Sequence, residues 1–181
     1  MPCTATHCEY NRICVPSVGP VPARLATVTE APGYRELENM KPLVGPAGRL
    51  YDSLLVRAGI SRADVRIINT CGCVDMERED RRPLPAEIEA CRPRLLADLE
   101  QVSSILAMGN ISLLLFFPGM TVSKARGSTR AWRHPTTGKV IPVTATYHPA
   151  YALPMRSPQV QPLIVEDIKT ALSMIGEPWN L

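Results

Sequence analysis

Residues 144–153 read TATYHPAYAL. This stretch sets one of only three histidines, His148, at the end of a β-branched, mostly apolar run, KVIPVTATY, and fixes it with Pro149. A histidine held at a strand end can donate a hydrogen bond or a proton to whatever binds there. Sulfur is the second source of chemistry. Six cysteines fall into two sets, Cys3/Cys8/Cys14 and Cys71/Cys73/Cys91. The N-terminus, MPCTATHCEYNR, is not a signal peptide, so these thiols are metal ligands or buried side chains rather than disulfides. No CxxC pair is present, and spacing alone leaves both uses open.

The elements that must position these residues follow from hydrophobic periodicity. RLATVTE (24–30), VRIINT (65–70), SSILAMG (103–109) and KVIPVTATY (139–147) predict four buried strands. PAGRLYDSLLVRA (46–58) predicts a helix with Leu50, Leu54 and Leu55 on one face, ended by Gly59. Residues 84–102 predict a second helix, with Ile88, Cys91, Leu95 and Leu99 inward. NISLLLFF predicts a short buried helix. Residues 160–175 predict a last one facing Val165, Ile168 and Leu172 inward. Residues 34–42 read as charged loop, and 119–138 as turns with a hairpin.

Alternating apolar strands and helices give a three-layer α/β/α fold with a central, mainly parallel four-stranded sheet. At 181 residues the chain suits a single domain, 1–181, whose first 23 residues are irregular and must be tied down by something else. In such folds ligands bind at the carboxyl ends of the strands. That rule brings Glu30–Gly33, Asn69–Thr70 and His148–Pro149 to one rim. The basic residues are sixteen arginines against four lysines, but a net charge of +3 does not by itself argue for nucleic acid. No apolar run reaches the length of a membrane span, so the expected setting is soluble and intracellular.

Seven segments carry a more specific signal. In chain order they are EAPG (30–33), PLVGPAGRLYD (42–52), IIN with Cys73 four residues after Asn69, RRPLPAEIEAC (81–91), SILAMGNISLLLF (104–116), KARG (124–127) and TYHPAY (146–151). In these residues the chain resembles the uracil-DNA glycosylase superfamily, most closely its iron–sulfur (family 4) branch. The resemblance runs from about residue 3 to residue 172. Each motif is weak alone, and their common order makes the match.

The resemblance implies excision of uracil from DNA by hydrolysis of the N-glycosidic bond. The sugar then gains oxocarbenium character, and the base leaves with negative charge on O2. It implies His148 as the donor to that oxygen, either neutral or as imidazolium; one such donor is worth about 2.7–4 kcal/mol of barrier. Asn69 would accept from uracil N3–H and donate to O4, a pattern that cytosine reverses. Glu30 or Glu36 would orient the attacking water or stabilise the sugar. Ala31 stands where many of these glycosylases have Asp, and Gly33 where other branches oppose the thymine methyl; with Leu43 they would line the base. A [4Fe–4S] cluster, or less favourably zinc, would be held by Cys3, Cys8, Cys73 and Cys91, leaving Cys14 and Cys71 outside the set. Substrates in duplex form require base flipping. Tyr151 or Leu153 would fill the gap, and Arg126, Arg133 and Arg156 would hold phosphates. The implied partner is uracil-containing DNA, met by a cytoplasmic, nucleoid-associated monomer with no membrane contact.

The chain also departs from the family pattern. Leu43 replaces a phenylalanine that stacks on the base, and Asp80 replaces an asparagine before Arg81. These changes open a second reading: a weak or non-catalytic DNA- or protein-binding module on the same scaffold, or a glycosylase for another modified base.

Overall fold

The structure, a computed structural model, describes residues 12–176. At its centre is a five-stranded sheet ordered β2-β1-β3-β5-β4. Strands β1 (Ala23–Thr29), β2 (Val65–Asn69), β3 (Val102–Met108) and β5 (Val140–Thr146) are parallel, and β4 (Thr129–Arg133) pairs antiparallel with β5. The four expected strands are present to within about two residues at their ends. The fifth, β4, corrects the expected count. Its sequence, TRAWR, buries no residue fully and carries two arginines, as suits a protected edge, so it lacks the apolar signal of a central strand.

Helices α2 (Pro46–Ala58) and α6 (Gln161–Ser173) cover one face, over a core of Leu25, Tyr51, Leu54, Ile67, Leu106 and Ile168. Helices α3 (Pro85–Leu99) and α4 (Gly109–Phe116) cover the other, over Val28, Leu95, Leu99, Ile105, Phe117 and Val143. Successive residues of β1 alternate between the two cores, as a strand buried on both sides must. Thr27, polar within this run, is satisfied by a hydrogen bond with the buried Tyr51 hydroxyl. A short α5 (Val122–Ala125) precedes β4.

Residues 34–42 are not all loop, as expected from their charge. Tyr34–Asn39 form a short helix, α1, with no buried residue. It offers no apolar stripe to read, and it is held from outside by the contacts of Glu36 described below. The irregular segment from residue 12 is tied to the edge of β2. Val18 and Ile67 exchange backbone hydrogen bonds of 3.1 and 2.7 Å, and Val15 N–H donates to Gly72 at 2.8 Å. Arg12 ion-pairs with Asp75 and with Glu87 of α3.

The chain leaves β1 for β2 on one side and later crosses to β3 on the other. The reversal puts a crevice beside the carboxyl end of β1.

Candidate active site

A cavity of about 410 Å³ opens at that crevice, and it gathers Glu30, Ala31, Gly33, Glu36, Leu43, Asn69 and His148. Residues from three distant segments therefore share one site, as the strand-end rule requires.

His148 follows β5 and opens a 3-10 turn, Pro149–Ala152. Its Nδ1 accepts the Ala150 backbone N–H at 3.2 Å. In the neutral ring the proton is therefore on Nε2, which leaves that nitrogen as a donor. Burial lowers the His148 pKa from 6.5 to about 4, against a smaller opposing pull from Glu36. The side chain keeps some surface toward the cavity, but the neutral form dominates near pH 7 in any case. Gly109, at φ +81°, backs the ring closely: a Cβ there would lie 3.2 Å from the His148 Cβ.

Asn69 ends β2, in register with Thr29 on β1. Both are buried, and the Thr29 hydroxyl donates to Asn69 Oδ1 at 2.9 Å. The buried Asn69 Nδ2 has no hydrogen-bond partner among the described residues. Such an orphan donor costs stability and marks a place for a ligand acceptor. Arg94 of α3 holds the backbone of the same strand end, donating to the carbonyls of Asn69 and Thr70.

The two glutamates differ. Glu36 accepts three backbone N–H groups, from Gly33 at 3.1 Å, Val44 at 2.9 Å and Gly45 at 2.7 Å. Both of its oxygens are thereby engaged in clamping the two sides of the 33–45 loop. Glu30 lies between the cavity and a second, adjoining one. Burial raises its pKa above 4.5; Arg82 opposes this and Asp80 adds to it.

Leu43 is buried at the cavity wall with φ +51°, a left-handed conformation that is strained for leucine. Arg62 fastens the turn by donating to the carbonyls of Leu43 at 2.8 Å and Pro42 at 2.6 Å, and it pairs with Asp52 at 2.8 Å. Helix α2 packs so closely beneath that a Cβ on Gly48 would lie 1.9 Å from the Leu43 carbonyl oxygen.

The sequence model of the uracil DNA glycosylase superfamily matches residues 16–169. The chain belongs to the uracil DNA glycosylase superfamily. Among curated relatives, it is 38% identical to the type-4 uracil-DNA glycosylase of Thermotoga maritima, over 96% of this chain and 89% of that one. It is 34% identical to the type-4 enzyme of Saccharolobus solfataricus over 91% and 79%, and 32% identical to that of Archaeoglobus fulgidus over 90% and 80%.

Beside the site of this glycosylase-family chain lies the second cavity, about 450 Å³, which shares Glu30, Arg82, His148 and Ala150 with the first and continues past Tyr147, Tyr151 and Arg156. Tyr151 is exposed and stacks obliquely on Tyr147, with ring centroids 5.4 Å apart. Leu153 is half-buried, and Arg133 and Arg156 are exposed. Arg126 instead turns its fork onto the buried Asp167, with contacts of 2.8 and 3.2 Å. Two arginines at the site went without a role in the sequence reading. Arg81 and Arg82 line the same cavity as His148, and Arg81 also lies over the Tyr34 ring at 4.4 Å. Met155 is 96% exposed, seven residues beyond His148. The adjacent arginines ahead of α3 were a legible signal, whereas nothing in the sequence marks Met155 as exposed.

Cys73 and Cys91 are both buried, and the Cys71 and Cys73 thiols hydrogen-bond to Cys91, which holds it toward thiolate. Cys14 lies against Gly72: a Cβ on that glycine would meet its sulfur at 2.5 Å. Cys3 and Cys8 lie outside the described residues. Among the described residues, no three His, Cys, Asp or Glu side chains form a group able to hold a metal ion, and no helix is long and apolar enough to cross a membrane.

Proposed function

We propose that this chain is a uracil-DNA glycosylase that hydrolyses the N-glycosidic bond of deoxyuridine in DNA. The observation that carries the reading is the placement of a neutral Nε2–H donor on His148 and an unpartnered Nδ2 donor on Asn69 around one cavity. Uracil offers two carbonyl oxygens flanking one N–H. Asn69 Nδ2 donates to O4, and the second lone pair of Oδ1 accepts N3–H. His148 Nε2–H donates to O2, where charge grows as the bond breaks. Such a preset donor stabilises the transition state more than the ground state. Glu30 orients the attacking water or faces the cationic sugar, since Glu36 is committed to the loop. Leu43 covers the face of the base. Arg82 and Arg156 border the groove that would take the DNA strand, and Tyr151, Leu153 and Met155 supply the apolar side chains that would fill a gap left by a flipped nucleotide.

The donor set also fits a cysteine-held cluster. Cys73 and Cys91 are in mutual contact beside the entry of the N-terminal segment, which carries Cys3 and Cys8. These four would hold a [4Fe–4S] cluster, with zinc the less suited alternative. Base excision is redox-neutral, and what the group supplies is a covalent tie between the N-terminal segment, the loop after β2 and α3. The protein works as a single-domain monomer in the cytoplasm, at the nucleoid.

The test is incubation with labelled single- and double-stranded DNA bearing one uracil, followed by alkaline cleavage. Cleavage at the uracil position is expected. Its absence at stoichiometric protein with the cluster intact would leave the scaffold as a binding module or a glycosylase for another base.

A further inference from the structure

We infer that Thr29 is a specificity-determining positioning residue: its hydroxyl fixes which end of the Asn69 carboxamide reads the base. The inference rests on the glycosylase reading above. A terminal carboxamide is nearly symmetric in shape, so rotating it by half a turn exchanges donor and acceptor at little steric cost. One orientation matches uracil, with an acceptor for N3–H and a donor for O4. The other matches cytosine, which presents an acceptor at N3 and a donor at its exocyclic amine. An asparagine alone therefore does not choose between the two bases.

Thr29 supplies the choice. It is in register with Asn69 across the β1–β2 pair, is 1% exposed, and lines the same cavity. Its hydroxyl proton points at Asn69 Oδ1, 2.9 Å away, the one hydrogen bond this hydroxyl makes among the described residues. Its own backbone carbonyl is already taken by the N–H and hydroxyl of Thr70, at 2.8 and 2.6 Å. Turning the amide over would set an NH₂ group against the hydroxyl and strand a buried proton without an acceptor, which is disfavoured. The lock leaves Nδ2 unpartnered and one Oδ1 lone pair open, which is the uracil-reading state. Neighbouring Thr27 spends its hydroxyl on Tyr51, so the two threonines of β1 differ in role although the sequence presents them alike.

The experiment compares wild type, Thr29→Val and Thr29→Ser. Inhibition constants for free uracil and free cytosine are measured, with kcat and KM on single-stranded DNA containing one uracil. Thr29→Val keeps the shape and removes the proton. It should weaken uracil binding about tenfold and cut the uracil-over-cytosine preference by a similar factor, the scale of one buried hydrogen bond. Thr29→Ser should restore most of both, which a purely structural role for the methyl group would not produce. A valine variant with uracil affinity and base preference within about twofold of wild type, at the tenfold scale expected here, overturns the inference, as does a serine variant equally impaired. If valine prevents folding, Thr29→Ser and Thr29→Ala decide: loss of base preference in the serine variant, or retention in both, overturns the inference, and retention in serine with loss in alanine supports it. Wild-type protein that releases no uracil overturns the glycosylase reading itself. An active wild type with an unaltered valine variant overturns only the role of Thr29.

Discussion

His148 and Glu30 titrate on opposite sides of their ordinary values, and for related reasons. Burial disfavours the charged form of each, so the histidine stays neutral down to about pH 4 and the carboxyl holds its proton to above 4.5. Either role proposed for Glu30, orienting the water or facing the cationic sugar, needs it ionised, so activity should fall as pH drops through that raised value. The imidazole contributes no limb near its usual 6.5. In the pH–rate profile, Glu30→Gln should erase the acid limb and lower kcat by roughly 10²–10⁴. A limb that survives this change, or one centred at 6.5, contradicts the assignment. The placement of His148 and Asn69 on one rim was legible in the sequence because each stands at the end of an apolar strand. The role of Glu36 was not, since its three partners, Gly33, Val44 and Gly45, are set by tertiary approach and leave no pattern. Thr29 was hidden for the opposite reason: threonine is an ordinary strand residue.

Among the elements, the strands and long helices could be read because each buries a periodic face. The exceptions bury little. Helix α1 packs no side chain into the core, and β4 is a half-exposed edge. The Leu43 turn, seated on α2, forms part of the cavity wall. Gly48 lies inside that helix, where Gly→Ala ordinarily stabilises by about 0.5–1 kcal/mol. Here the new Cβ meets the Leu43 carbonyl, so the sign should reverse. Gly48→Ala should destabilise by about 1–3 kcal/mol, the cost of overpacking, and raise KM because Leu43 leaves the cavity wall. Thermal unfolding and steady-state kinetics check both, and a more stable variant with unchanged KM would refute the close approach. Helix α3 reaches the cavity rim through the end of β2. It carries Cys91 and, one turn on, Arg94, which grips the backbone of Asn69 and Thr70. The buried Cys91 and the grip on the Asn69–Thr70 backbone are thus built on the same helix.

Over the whole molecule, the segment from residue 12 runs along β2 and pairs Arg12 with Asp75 and Glu87. The proposed cluster on Cys3, Cys8, Cys73 and Cys91 would add a second tie to α3. Cys91→Ala should therefore abolish the brown colour and absorbance near ~400 nm expected of cysteine-ligated iron–sulfur, whereas Cys14→Ala should leave iron content unchanged. Anaerobically purified protein measured for iron and sulfide decides this, and loss of iron in the Cys14 variant would move that residue into the ligand set. The sequence separates Cys73 and Cys91 from the rest only through the family motifs. Packing explains why spacing could not, because Cys71 and Cys14 crowd the same place.

In the proposed reaction a neutral His148, donating through Nε2–H, drives departure of the uracil anion. Single-turnover release of uracil from single-stranded DNA, compared between wild type and His148→Ala, tests it most directly because it isolates bond cleavage from product release. The expected result is a fall of about 10²–10³ in the single-turnover rate, with DNA binding retained. A variant cleaving within a few-fold of wild type would contradict it.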